Sequence, residues 1–489
     1  MTTRMFQTLA TSALLLGASL AVAGEAAVDS VVIAPPASLA PPETLAPAVA
    51  SPRAASVVIA ALQQQAEASN LGLANASLEV ARSQAVLDAA RARFFPELSL
   101  NARYTRADGG RQITIPTGLL LNPAYQTLNE LLVANGGTPR FPLLGDESFP
   151  LQLPREQDTR ISLRQPLYAP AIPAASAAAR SASEAATLGR EAFRRALRRD
   201  VAVAYLGWLQ ARNAVQIVAA SEALLAENLR VQRALHDQGK STRDVVLRAE
   251  AEWLAVKQQS EEAANGAGQA QRYINFLLNR PLDEAVEPGS VPEAAGPAPT
   301  GAGPDDAVLV ARRPELRQLD AAVQSAGSQL RAAQSAYKPT LSLGVDAGTE
   351  GVDYGLGRGY NYSSASLVLT WTLFDGGARS AAVAQARVAR NQLANRREQA
   401  AQQLAMELRA AGDNLRTAGA SLATAQARAA AAQAAFTITA KRRDAGMSSA
   451  LEYLDARSAL TSALLNANQA GCTLLQRQAE AEFARGDLP

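Results

Sequence analysis

Groups capable of covalent chemistry are scarce in this sequence. Of 489 residues, one is histidine, His236, and one is cysteine, Cys472. A single imidazole and a single thiol cannot build a His/Cys metal cluster within one chain, and they exclude most His-activated nucleophiles. One thiol also cannot form an intramolecular disulfide. Carboxylates are plentiful, but Glu407, Asp413 and the other acids lie on helical faces without converging, and no GxSxG, HExxH or phosphate loop occurs. The 47 basic and 45 acidic residues are interspersed, so net charge does not point to nucleic acid. The reading is of a non-enzyme without a cofactor.

Charges do recur at fixed spacing beside two glycines. HDQGKSTRDVVLRAEAE (236–252) and RDAGMSSALEYLDARSA (443–459) match as G…LRAE and G…LDAR, with Gly239 and Gly446 separated by 207 residues. Glycine at such places suits a turn with positive φ. Arg248, Glu452 and Asp455 follow these glycines, and each could be no more than a solvated helix-face charge.

The elements that position these charges come in two copies. RARFFPELSL (91–100) and QSAYKPTLSL (334–343) match, with Pro96 and Pro339 separated by 243 residues. ISLRQPLYAPA (161–171), which holds Pro166, matches LVLTWTLFDGG (367–377), which holds Asp375, Gly376 and Gly377, at an offset of 206. The two offsets differ by one insertion between Pro96 and Ile161. Self-similarity at so long a period is duplication, not a solenoid. A Pro/Gly/Ala linker, VEPGSVPEAAGPAPTGAGP (286–304), marks the seam, and a similar Ala/Pro stretch runs from Val31 to Arg53.

Within each copy the hydrophobic period changes in a fixed order. Leu98, Leu100, Ala102 and Tyr104 alternate with polar residues, as do Ile161, Leu163 and Leu167, then Leu341, Leu343, Val345 and Ala347, then Ala365, Leu367, Leu369 and Trp371. These are four strands of about 9 to 11 residues, the length a tilted membrane strand needs. A soluble sheet with one wet face would alternate equally well. Aromatic residues gathered at strand ends, among them Phe94, Phe95, Tyr104, Tyr168, Tyr337 and Phe374, favour the membrane. Four strands cannot close a barrel, so that reading requires an oligomer.

Long helical arms follow, expected over Ile172–Asp237, from after Gly239 to Leu278, over Ala378–Ala445 and over Ser449–Phe483. At 1.5 Å per residue the longer arms span roughly 100 Å. Helices of this length imply coiled-coil packing. A plain coiled-coil rod is the alternative, and it leaves the strands without a purpose.

The N-terminus begins with Arg4, continues through Leu14, Leu15, Leu16 and Leu20, and reaches Ala21-Val22-Ala23 before Gly24. That order is a secretory signal peptide cut after Ala23. Gly24, Glu25 and Ala26 follow where a lipoprotein would carry cysteine, so no lipid anchor is expected. The expected division is a signal peptide at 1–23, a linker at 24–56, a first repeat at 57–285, a linker at 286–304 and a second repeat at 305–489. The insertion at 107–159 carries a short helix near Gln126–Asn135, against a short Gly/Tyr loop from Gly348 to Ser363 in the second repeat.

Order, duplication and motifs together resemble TolC-like outer membrane efflux proteins, most closely at RRPELRQLDAAVQSAGSQLRAAQSAYKPTLSL (312–343) and LTWTLFDGGARSAAVAQAR (369–387). The resemblance implies a mixed α+β membrane protein. A homotrimer would have a twelve-stranded β-barrel in outer-membrane lipid of a Gram-negative bacterium, continued by an α-helical tunnel across the periplasm. It implies two partners, an inner-membrane transporter and a periplasmic adaptor of the membrane fusion type, and small-molecule efflux over protein secretion. It also implies that Glu452 and Asp455, six and nine positions after Gly446, ring the periplasmic aperture. Arg248, the matching place on the first hairpin, is then the gate latch. Gly239 and Gly446 become adaptor contacts, and Pro96, Pro166, Pro339 and Asp375-Gly376-Gly377 mark the barrel-to-helix junction. The long insertion would fold over or into the outer mouth, since such barrels carry their long loops outside.

Overall fold

The computed structural model describes residues 54–290, 306–353, 355 and 359–486. The expected signal peptide, the N-terminal linker up to residue 53 and residues 291–304 of the central linker lie outside the described residues. The first repeat runs α1 (Ala55–Ser69), α2 (Leu71–Ala92), β1 (Glu97–Arg106), β2 (Gln112–Ile115), α3 (Thr117–Ala134), β3 (Glu147–Pro150), β4 (Arg155–Tyr168), α4 (Ala171–Asp237) and α5 (Arg243–Leu277). The second runs α6 (Asp306–Arg312), α7 (Pro314–Ser335), β5 (Thr340–Gly351), β6 (Asn361–Thr370), α8 (Ala378–Asp444) and α9 (Ala450–Arg485).

The long arms α4 and α8 are each 67 residues: the one proline in them, Pro173, falls in the first turn of α4, where its missing N–H is tolerated, and the glycines inside them stand singly. The helix before each first strand is split. In the first repeat the break is Asn70, extended at ψ 123°, whose side chain accepts from the Leu73 amide and donates to the Leu277 carbonyl at 2.9 Å. In the second it is Arg313, followed by Pro314 at the first helical position, where a missing N–H costs nothing.

Four strands form one antiparallel sheet in the order β1-β4-β5-β6, and β2 pairs with β3 separately. Strand β4 begins at Arg155, six residues before the expected Ile161, and reaches 14 residues. Its extension pairs with β1 as far as Arg106, so the inserted segment narrows to 107–154. Pro166 sits where the β4–β5 register slips, and a proline without an N–H is accommodated at such an irregularity.

The Pro/Gly/Ala composition of the central linker argues against a packed element, yet its first residues are packed. The buried Tyr205 hydroxyl donates to the Glu287 carbonyl at 3.2 Å and accepts from the Gly289 amide at 2.7 Å, and Val286 is buried. The Ala55 amide then donates to Ser290. A phenol taken out of water needs partners, and here the linker backbone supplies them.

Val58, Leu62, Tyr205, Leu209 and Ile274 form a core that joins α1, α4 and α5. Farther along, Val218 and Leu225 of α4 pack with Val256 of α5 and with Tyr453 and Leu454 of α9. The two hairpins of one chain therefore touch near their tips. No helix among the described residues is long and apolar enough to cross a membrane.

Candidate functional site

The two hairpin tips are built alike. Gly239 and Gly446 both adopt φ +72°. Each donates its amide three positions back into the helix end, to His236 and Arg443, at 2.8 Å. The next amides, of Lys240 and Met447, reach Leu235 and Arg442, also at 2.8 Å. This Schellman arrangement satisfies the last carbonyls of each long helix, and only glycine enters it without strain.

Helix α9 then starts with a capping box. The Ser449 hydroxyl accepts from the Glu452 amide at 3.1 Å, while the Glu452 carboxylate accepts from the Ser448 hydroxyl at 2.6 Å. The Ser448 hydrogen bond holds the Glu452 carboxyl below the usual carboxylate range; slight desolvation opposes it, and Arg442 and the Ser449 backbone assist. Asp455 lies one turn on and is exposed. Arg248 is exposed on α5; the nearby Asp244 carboxyl is lowered chiefly by the Thr242 hydroxyl, with a smaller contribution from the Arg248 charge. Among the described residues no ion pair or hydrogen bond joins Arg248 to Glu452 or Asp455 within one chain.

Arg457 was not singled out from the sequence. It is only 4% exposed, and it donates to the Ser221 hydroxyl of α4 at 2.7 Å and to the Ser221 carbonyl at 3.3 Å. Burial pushes its pKa down, against the pull of Glu252. The repeat offset of 207 places it opposite Glu250, which pairs instead with Arg233 of its own hairpin at 3.0 Å. A charge reversed between the copies was the available signal.

At the other end, Asp375 accepts from the Gly377 amide at 3.1 Å and the Arg379 amide at 3.0 Å, which caps α8. Gly376 and Gly377 carry φ of +66° and +94°. Arg379, also missed from the sequence, binds Asp375 at 2.7 Å and the Leu373 carbonyl at 3.3 Å, and lies over the Tyr337 ring at 5.0 Å. It ties the start of α8 to the approach to β5. Pro96 and Pro339 stand immediately before β1 and β5.

The sheet has two chemically distinct faces. Leu98, Leu100, Leu367 and Leu369 are on one face and are each 66–70% exposed. The opposite face carries Arg103 beside Glu156 at 3.8 Å, Arg160 beside Asp158 at 3.5 Å, and the Ser162 hydroxyl donating to Asp346. The polar face pairs these charges with one another; the four leucines of the other face are exposed, although Gln157 on that face is buried near the end of the sheet.

The insertion reverses the usual use of an amphipathic helix. α3 turns its asparagines toward its own chain: Asn122 exchanges two hydrogen bonds with Leu144, and Asn129 binds the backbone at Arg140 and Phe141. These bonds explain why α3 starts at Thr117 and runs through Pro123, earlier than the expected Gln126. Leu119, Leu120, Leu128 and Leu131 face outward, and no residue of α3 is buried.

Residues 308–485 match the family model described as outer membrane efflux protein. No curated protein matches the chain. Among solved structures, the fold is similar to that of the Campylobacter jejuni CmeC outer membrane channel, at 16% identity and a TM-score of 0.74, covering 93% of each chain. It is also similar to the open-state MtrE outer membrane channel of Neisseria gonorrhoeae, at 21% identity and a TM-score of 0.70, covering 88% of each chain. The outer membrane protein VceC of Vibrio cholerae aligns at 16% identity and a TM-score of 0.71, over 89% of this chain and 99% of its own.

Proposed function

We propose that this chain, a member of the outer membrane efflux protein family through its second repeat, forms one third of an outer-membrane exit duct. One observation carries the reading: a four-stranded sheet with exposed leucines on one face, paired charges on the other and two unpaired edges, β1 and β6. Burying the apolar face in lipid stabilises it, but open edges are excluded from the hydrocarbon because their backbone groups would be unsatisfied. Three copies, β1 of one against β6 of the next, close twelve strands into a barrel with the charged face toward water. The 67-residue helices then continue as a tunnel of roughly 100 Å toward the inner membrane. The barrel sits in the outer membrane of a Gram-negative cell.

The duct is passive. An inner-membrane transporter supplies the energy, and a periplasmic adaptor docks at the tips around Gly239 and Gly446. Glu452 and Asp455 from three chains place six carboxylates about the axis, which attracts cations and repels anions. Arg248 of a neighbouring hairpin holds the ring shut. Small molecules are the cargo. At the other end, the leucine face of α3 is covered when the insertion folds over the outer mouth.

Planar-bilayer recording of purified trimers tests this. Low conductance with cation preference is expected, and Glu452→Ala/Asp455→Ala removes the preference. A chain that forms neither trimers nor channels overturns the reading in favour of a soluble rod; an indifferent double variant moves the gate elsewhere.

A further inference from the structure

Three arginines from three different helices line one cleft of about 570 Å³: Arg180 of α4, Arg331 of α7 and Arg390 of α8. Ser181, Gln324 and Ser328 complete its polar lining, and Glu184 is the only carboxylate among the described residues that line it. Among the described residues no ion pair engages any of the three guanidiniums, although Arg379 and Arg397 on the same α8 are paired with Asp375 at 2.7 Å and Asp320 at 2.9 Å. Arg331 donates to the Ser328 hydroxyl at 2.8 Å, which fixes its direction without neutralising it. Three cations and one carboxylate leave the lining of the cleft with an excess of positive charge, which attracts an anion.

We propose that this cleft binds the phosphate group of an anionic ligand. A guanidinium presents a planar fork of donors matched to phosphate oxygens. All three arginines are exposed at the cleft, and together they offer more donors than the two oxygens of a carboxylate can accept, which suits a phosphate with its larger set of oxygens. All three side chains lie within about 20 Å of the helix ends that meet the sheet. Two sources therefore share this chemistry: a soluble phosphate and the headgroup of a membrane lipid. Only the lipid source rests on the channel reading.

The test uses the full-length chain purified in detergent. Inorganic phosphate is titrated calorimetrically, and co-purifying phosphatidylglycerol is measured by native mass spectrometry. Phosphate binding weakened at least tenfold in Arg180→Gln/Arg390→Gln assigns the soluble source; lipid retention abolished by the same pair, without phosphate binding, assigns the headgroup. Glu184→Gln, which removes the repelling carboxylate, strengthens either signal several-fold, and Arg397→Gln leaves it unchanged. Wild-type protein that binds neither probe, or a double variant that binds like wild type, overturns the proposal. The readout needs no pore, so a chain that fails to conduct but binds phosphate sinks the channel reading alone.

Discussion

Arg457 of α9 donates to the Ser221 hydroxyl of α4 across 2.7 Å, and Thr461 donates to the same hydroxyl at 3.3 Å. The second hairpin is thereby held to the first by a buried cation, close to the tips that would have to part for a tunnel to open. Glu252 of α5 is the carboxylate that bears on Arg457 among the described residues, so both arms of the first hairpin contribute.

Arg457→Met removes charge-assisted hydrogen bonds typically contributing about 1.5–3 kcal/mol. The expected outcome is a tip that opens more readily, measured as faster proteolysis between α4 and α5 with the barrel end still protected. Ser221→Ala has a smaller effect in the same direction. Unchanged proteolysis in both variants would mean that apolar packing of Tyr453 and Leu454 alone holds the hairpins.

The two faces of the sheet predict opposite tolerance. Leu100→Arg places a charge on the apolar face and costs about 2–4 kcal/mol if that position lies near the bilayer midplane. Asn101→Arg, one residue on, points to the wet face and is tolerated. The measurement is the amount of each variant recovered as membrane-embedded oligomer. Equal recovery would show that the apolar face does not meet lipid.

Gly239→Ala and Gly446→Ala isolate backbone strain, since an added Cβ at either place meets nothing within 4 Å. Each is expected to cost about 1–2 kcal/mol for a left-handed residue with a side chain. Asparagine at the same sites costs less. Calorimetric melting of the alanine and asparagine pairs checks the order.

The capping box makes the start of α9 sensitive to acid. The Glu452 carboxyl titrates below its ordinary value of 4.5 when folded, so its contribution is complete above that pH. It is lost as pH falls through the lower folded-state value. The protection of the Ala450–Tyr453 amides, corrected for the intrinsic pH dependence of exchange, should fall over that window in the wild type, and Glu452→Gln should be less protected at neutral pH and show no acid step. An acid step that persists in the variant would assign it to another group.

Much of this protein was legible along the chain. Period-2 alternation located every strand of the main sheet, uninterrupted helical composition located both 67-residue arms to within a residue or so, and repeated glycines located both tips. Each of these is a local rule: side-chain direction in a strand, the absence of a breaker, a backbone conformation open to glycine. Duplication then doubled every local signal.

What tertiary structure decided depends on partners distant in sequence. Asn70 breaks a helix because the Leu277 carbonyl lies beside it, and the linker packs at 286–290 because Tyr205 needs partners for a buried hydroxyl. β4 grows six residues because β1 continues to pair with it, and α3 runs through Pro123 because Asn122 is held by Leu144. Arg457 and Arg379 resemble dozens of other arginines in the sequence; only the approach of α4 to one, and of the β5 foot to the other, makes them fasteners. Burial and hydrogen-bond satisfaction are properties of pairs, and a sequence names the members of a pair without saying which ones meet.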